Sequence, residues 1–504
     1  TTKICFDLER CLKIVKLNDS NYFNSNVIDF EFTFIIVTVR KRIFYKLRIM
    51  LIFVSNRSQW KTQIFYFIVI FLIIGTLCTW ISILTLKIFY VQTLEELNQE
   101  EKTLARTWWL SKAQMHAKSM KENHNGNKNI NIDREWQSNN STEKFIVCYY
   151  TIPKDSNTAR NLFPSQIDPH ICTHIIIGFA SIINCTVDMG VNTRIYEDVV
   201  DLKKNNSKLK VMISIGGGNE LNSGFPEMVK NHANRKRFIR SVLDVTKKFK
   251  FDGLDLDWEF PGLFEPKEKE KIHFVQLVHE VRKEFDHRSE KLILSVAAAA
   301  PQVIIDQSYS VPEIAEHVDF INLMSYDYHY YIWYFPVTDL NAPLFPYAIE
   351  SGYLDTLNVN FSAHYWITKR MPRYKIVIGI PTYGHSYKLD NPLNHKLQAP
   401  ANGFGKLGLN GFVSYSTICQ FLKNGASNVF VNKSKVPYAY KDEEWISYDN
   451  NESIYYKTKW IIANGFKGAM IFSLNTDDWK NECNTNETFP LTRTITKLFK
   501  KEKD

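Results

Sequence analysis

Three things are missing from this chain. No pair of its eight cysteines has zinc-binding spacing, no methionine precedes Met50, and no charge falls between residues 64 and 86. The first absence argues against a structural zinc site, and no other motif implies a metal or cofactor. Acidic residues are also scarce at the N-terminus. Residues 1–61 carry 11 Lys/Arg against 5 Asp/Glu, so +6 of the total charge of +9 sits there. The rest of the chain is near +3, with no basic stripe on a folded domain, which argues against a nucleic-acid partner.

The uncharged run IFYFIVIFLIIGTLCTWISILTL explains the basic tail. As a helix its 23 residues span roughly 35 Å, enough for a bilayer. It is longer than the apolar core of a cleavable signal, and no small-residue cleavage site follows. Lys46, Arg48, Arg57 and Lys61 precede it, and Arg40, Lys41 and Arg42 add to that side; Lys87, Lys102 and Arg106 follow. The bias predicts a type II signal anchor, with 1–63 cytoplasmic and the bulk lumenal or extracellular. A protein starting at Met50 would have a short basic leader and then the anchor, so 1–49 read as a gene-model extension. Polar, Asn/Lys-rich residues 87–143 read as a stalk with little core.

From Phe145 the texture changes. Apolar runs recur at 145–151, 174–181, 210–217, 251–260, 291–300, 319–328, 374–384 and 468–478. Most lead into helical patterns such as 234–249 and 270–285. Continuous apolar strands alternating with helices predict a parallel sheet buried on both faces, and eight such units predict an α/β fold, the (β/α)8 barrel, over 144–500. The long gap between the seventh and eighth runs predicts a small α+β insertion at 386–446.

The fourth run, FDGLDLDWEF, carries four acids. Side chains alternate along a strand, so Asp255, Asp257 and Glu259 share one face and climb the barrel wall toward its mouth. Asp252 has the other parity and suits the strand's start. Burying three ionised carboxylates together is costly, so at least one proton is held, as a general acid near neutral pH requires. A structural acid cluster or a calcium site is the alternative, although calcium loops space their ligands around a turn.

DGLDLDWE matches the DxxDxDxE signature, and this region resembles family-18 glycoside hydrolases, the chitinase family. SIGG (214–217) resembles the family's third-strand motif, MSYD (324–327) its sixth, GIPTYG (379–384) its seventh and GAMIFSLNTDD its eighth. The segment after Tyr383, with PYAYK, resembles the chitinase-insertion domain. The match runs in order over roughly 145–500. It implies a substrate-assisted retaining mechanism. Glu259 would protonate the glycosidic oxygen while the substrate's 2-acetamido carbonyl attacks the anomeric carbon. Asp257 would hold the acetamide N–H and share a proton with Asp255, and Tyr326 would bond the acetamide oxygen. Met324, Asp327, Tyr383, Phe472, Trp258 and Gly217 would contact the sugar. The implied substrate is chitin or an N-acetylglucosamine oligosaccharide, and the implied disulfides are Cys148–Cys172 and Cys419–Cys483, with Cys185 left over.

Several usual aromatics are missing. Gly218 and Phe472 stand where the family usually has Trp, the Trp common after the first strand is absent, and Tyr330, His385 and Phe260 replace Gly, Arg and Tyr. Aromatic faces hold sugar rings, so these losses should weaken polymer binding more than acid chemistry. Two functions therefore stand: a membrane-tethered hydrolase, or a chitinase-like lectin without useful turnover. Sequons at Asn140, Asn205, Asn360, Asn432, Asn451 and Asn486 are compatible with a glycoprotein.

Overall fold

Each apolar run becomes a strand buried along nearly its whole length. The computed structural model describes residues 143–153, 161–218, 222–263, 268–347 and 352–502. Fifteen strands are present among them: β1 (Phe145–Thr151), β2 (His174–Ile183), β3 (Thr186–Asp188), β4 (Lys210–Gly216), β5 (Gly253–Asp257), β6 (Ile293–Ala299), β7 (Phe320–Met324), β8 (Ile376–Pro381), β9 (Tyr383–Leu389), β10 (Ala401–Phe404), β11 (Phe412–Ser414), β12 (Ser427–Val431), β13 (Val436–Lys441), β14 (Glu444–Ser447) and β15 (Gly468–Phe472). β1, β2, β4, β5, β6, β7, β8 and β15 pair in parallel, and β1 closes the ring by pairing with both β15 and β2. This is a closed eight-stranded barrel, the (β/α)8 architecture expected from the alternating pattern.

Helices pack outside because their apolar residues recur every three or four positions. Helix His232–Phe249 buries Phe238, Ile239, Val242, Thr246 and Phe249 on one face. Asn231 caps its start by accepting from Asn234 N, and Lys250 ends it in the left-handed conformation. The main core lies between sheet and helices. A smaller cluster, including Val147, Tyr149, Ile176, Met212, Phe320, Tyr326 and Met470, fills the barrel interior.

Between β8 and β15 the chain builds a second, antiparallel sheet in the order β10-β9-β14-β13-β12, with β11 on β9. Helix Tyr415–Lys423, capped by Ser414, belongs to this segment. The sheet begins at Tyr383, a few residues earlier than the expected 386, so one predicted site residue opens it. The predicted tail, anchor and nearly all of the stalk (1–142) lie outside the described residues. Within the described residues, no helix is long and apolar enough to cross a membrane.

Candidate active site

Asp255 sits at the centre of the barrel with no exposed surface. Its Oδ2 accepts from Tyr149 Oη at 2.7 Å and Ser214 Oγ at 2.7 Å; its Oδ1 accepts from Ser295 Oγ at 2.6 Å and Asn322 Nδ2 at 3.2 Å. These donors come from β1, β4, β6 and β7, so the carboxylate ties four strands together through charge-assisted bonds. Burial pushes the Asp255 carboxyl up, and the four hydrogen bonds oppose that shift.

Two residues on, Asp257 is equally buried, but its Oδ1 has no hydrogen-bond partner. Burial raises its pKa well above the usual carboxylate range, followed by the charges of Glu259 and Asp255. Both neighbouring acids, Glu259 and Asp255, thus bear on the Asp257 carboxyl. Four donors already fill Asp255, and Glu259 is the larger electrostatic partner of Asp257. Glu259 lies just past the end of β5, where burial and the Asp327 charge lift its carboxyl to about 7. Both carboxyls are thus pushed toward the protonated form, and Asp257 Oδ1 is a buried acceptor without a partner.

Aromatic rings form the floor. Phe472, the last residue of β15, lies 5.6 Å from Tyr149, 5.8 Å from Tyr326 and 6.3 Å from Tyr383. The Tyr326 hydroxyl rests on Met470 Sδ at 3.9 Å, a weak acceptor that leaves it available. Met324, at the end of β7, is half-buried against the same interior cluster. Asp327 adopts a φ of +58°, with its N–H bonded to Asn341 Oδ1. Its Oδ1 receives Tyr383 Oη at 2.5 Å and His385 Nε2 at 2.7 Å. His385, which stands where the family usually has Arg, is in the fold a direct partner of Asp327.

One expected contact falls elsewhere: Trp258 shares the outward parity of Leu254 and Leu256. Its ring stacks on Phe225 at 5.1 Å and meets Phe274 at 5.8 Å, in the layer between strands and helices. Gly217 is buried with a φ of +91°, and a Cβ there would stand 3.0 Å from the Phe179 ring. Its N–H bonds Asp257 O at 2.8 Å, so its evident task is to let the chain turn across the end of β5. Asp252 accepts from Val211 N and Lys203 Nζ at the opposite end of β5. Cys148–Cys172 and Cys419–Cys483 are bridged, and Cys185 is free and buried.

Tyr149, Ser214, Ser295 and Asn322 belong to the site without having been expected there from the sequence. A signal existed: each is a polar-bearing residue inside a run that is otherwise almost wholly apolar, which is where a buried partner is needed. Among the described residues no cluster of three His, Cys, Asp or Glu is placed to hold a metal ion.

Fold and site together define a (β/α)8-barrel protein with a column of acids under an aromatic-floored mouth. The chain belongs to the glycosyl hydrolases family 18, whose model matches residues 145–477. It is 36% identical over 363 residues to human (Homo sapiens) chitinase-3-like protein 2, covering 69% of this chain and 91% of that protein. It is 34% identical to mouse (Mus musculus) chitotriosidase-1, covering 69% and 77% respectively. Among solved structures it resembles human YKL-39, described as a pseudo-chitinase with retained chitooligosaccharide binding. That match has 37% identity and a TM-score of 0.66, covering 70% of this chain and 99% of the other. It also resembles an Ostrinia furnacalis group IV chitinase in complex with allosamidin, at 33% identity and a TM-score of 0.66, covering 71% and 99%.

Proposed function

We propose that this protein hydrolyses β-1,4-linked N-acetylglucosamine bonds in chitin or chito-oligosaccharides. The observation that carries this reading is the Glu259 carboxyl, held at about 7 beside Asp257 at the barrel mouth. A carboxyl of that pKa is poised for acid catalysis near neutral pH. Glu259 donates its proton to the glycosidic oxygen as the bond to the anomeric carbon breaks. The substrate's acetamide oxygen forms a new bond to that carbon, giving a cyclic oxazolinium ion. Asp257 Oδ1, unpaired in the free protein, accepts the acetamide N–H and orients the acetamide for attack. Tyr326 donates to the acetamide oxygen. Water, deprotonated by Glu259, then attacks the same face the leaving group left, so configuration is retained.

A second reading is a glycan-binding protein without turnover. Gly218 and Phe472 in place of tryptophan favour it, as does similarity to a relative described as a pseudo-chitinase. Retention of Asp255, Asp257 and Glu259 favours the enzyme. The proposed setting is a single-pass type II membrane protein anchored by 64–86, with the barrel lumenal or extracellular and the sheet from β9 to β14 as its chitinase-insertion subdomain.

The test uses the purified chain with its disulfides intact, assayed on fluorogenic chitobiose and chitotriose glycosides beside Glu259→Gln. Release of the fluorophore by the parent and not by the variant is the expected result. No release from either, with chito-oligosaccharide binding retained, would replace the hydrolase with the binding protein.

A further inference from the structure

We infer that Asn222 is a positioning residue, a side-chain wedge that ends the β4–β5 ladder and holds the backbone of Glu259. The last register pair of these two strands is Gly216 with Asp257, and Gly217 N–H still donates to Asp257 O at 2.8 Å. In a parallel ladder the next rung would run from Glu259 N–H to Gly217 O. That rung is replaced. Glu259 N–H donates instead to Asn222 Oδ1 at 3.1 Å, and Asn222 Nδ2 donates to Gly217 O.

The asparagine amide supplies one donor and one acceptor in a plane, as a peptide unit does. Inserted between two backbones, it satisfies both while holding them a full amide apart. Glu259 therefore leaves the sheet at a set distance from β4, although no ladder bond fixes it. The turn that permits this is made by Gly216 and Gly217, with φ of +108° and +91°; a Cβ on Gly216 would stand 2.1 Å from Asp257 O. No side chain at 218 braces the acid either, since a Cβ there would lie 3.7 Å from Glu259 Oε1 and the residue is glycine. Restraint on this side of the carboxyl comes through the main chain, from a residue 37 positions away in sequence.

General acids lose efficiency steeply when displaced, about 100-fold for a misplacement near 1 Å. Removing the wedge should thus act on turnover and on the environment of the Glu259 carboxyl, not on sugar affinity. The kinetic arm rests on the hydrolase reading; the titration arm does not.

Asn222→Ala, Asn222→Leu and Asn222→Gln are compared with the parent chain. In the first two, kcat falls about 10- to 100-fold with KM within about 3-fold, while Gln, which keeps the amide, recovers part of the loss. The Glu259 carboxyl, followed by 13C NMR and assigned against Glu259→Gln, titrates near 7 in the parent. Its midpoint moves down toward the ordinary value of about 4.3 in Ala and Leu as the freed carboxyl reaches solvent. Parent-like midpoints in both, or a Gln variant indistinguishable from Ala, would overturn the inference. If the parent has no turnover, the hydrolase reading falls and the titration alone decides the role of Asn222.

Discussion

The ring of Phe472 lies 5.8 Å from that of Tyr326 and within 28° of parallel to it. The two form an aromatic shelf, with the rings of Tyr149 and Tyr383 on its sides. A pyranose ring seated there would stack on a phenyl face where the family usually offers an indole.

Phe472→Ala should therefore weaken oligosaccharide binding about 10-fold or more, a loss of about 1.4 kcal/mol or more in stacking and burial. Phe472→Trp should tighten it, because the larger face restores contact area. Calorimetric titration with chitotetraose, on a Glu259→Gln background to prevent turnover, checks both. Unchanged affinity in the Ala variant would show that the sugar does not rest on this shelf.

The acid column makes stability depend on pH. Glu259 titrates at about 7 in the folded chain and near its ordinary value of about 4.3 when unfolded. Both states hold the proton below that lower value, so no penalty exists there. As pH rises toward 7 the unfolded chain ionises freely and the folded one does not, so stability is lost across that window. Glu259→Gln removes the penalty. The variant should be more stable than the parent by on the order of 2 kcal/mol at pH 8 and equal to it at pH 4. Urea unfolding at the two pH values measures the difference; equal gaps at both would mean the carboxyl is not buried as described.

Burial pushes the Asp255 carboxyl up as well, but four hydrogen bonds oppose that shift. Removing the carboxyl leaves Tyr149, Ser214, Ser295 and Asn322 without their shared acceptor. Asp255→Ala should cost on the order of 3 kcal/mol or more, since several buried polar groups lose their partner at once. Asp255→Asn, which fills the same space, should cost less. A thermal midpoint for Asp255→Ala within about 1 °C of the parent would show that the four donors find other partners.

Much of this is legible in the sequence. Alternation along FDGLDLDWEF placed Asp255 and Asp257 on the inner face because a strand's side-chain period is two. The same parity argument, applied consistently, would have sent Trp258 outward to Phe225. The expectation of sugar contact followed the family motif instead of the pleat. The four donors around Asp255 were not legible, because local spacing says nothing about donors arriving from other strands.

The sequence by itself determined which stretches become strands, their order around the barrel and the direction each acid faces, since those depend on apolar patterning and on a period of two within a few residues. Only the tertiary structure decided what each acid meets. Tyr149 reaches Asp255 across 106 residues and Asn322 across 67, His385 finds Asp327 across 58, and Asn222 inserts between Gly217 and Glu259. Such partners are chosen by barrel closure, which brings distant strand ends to within hydrogen-bonding distance, and no local pattern encodes that distance.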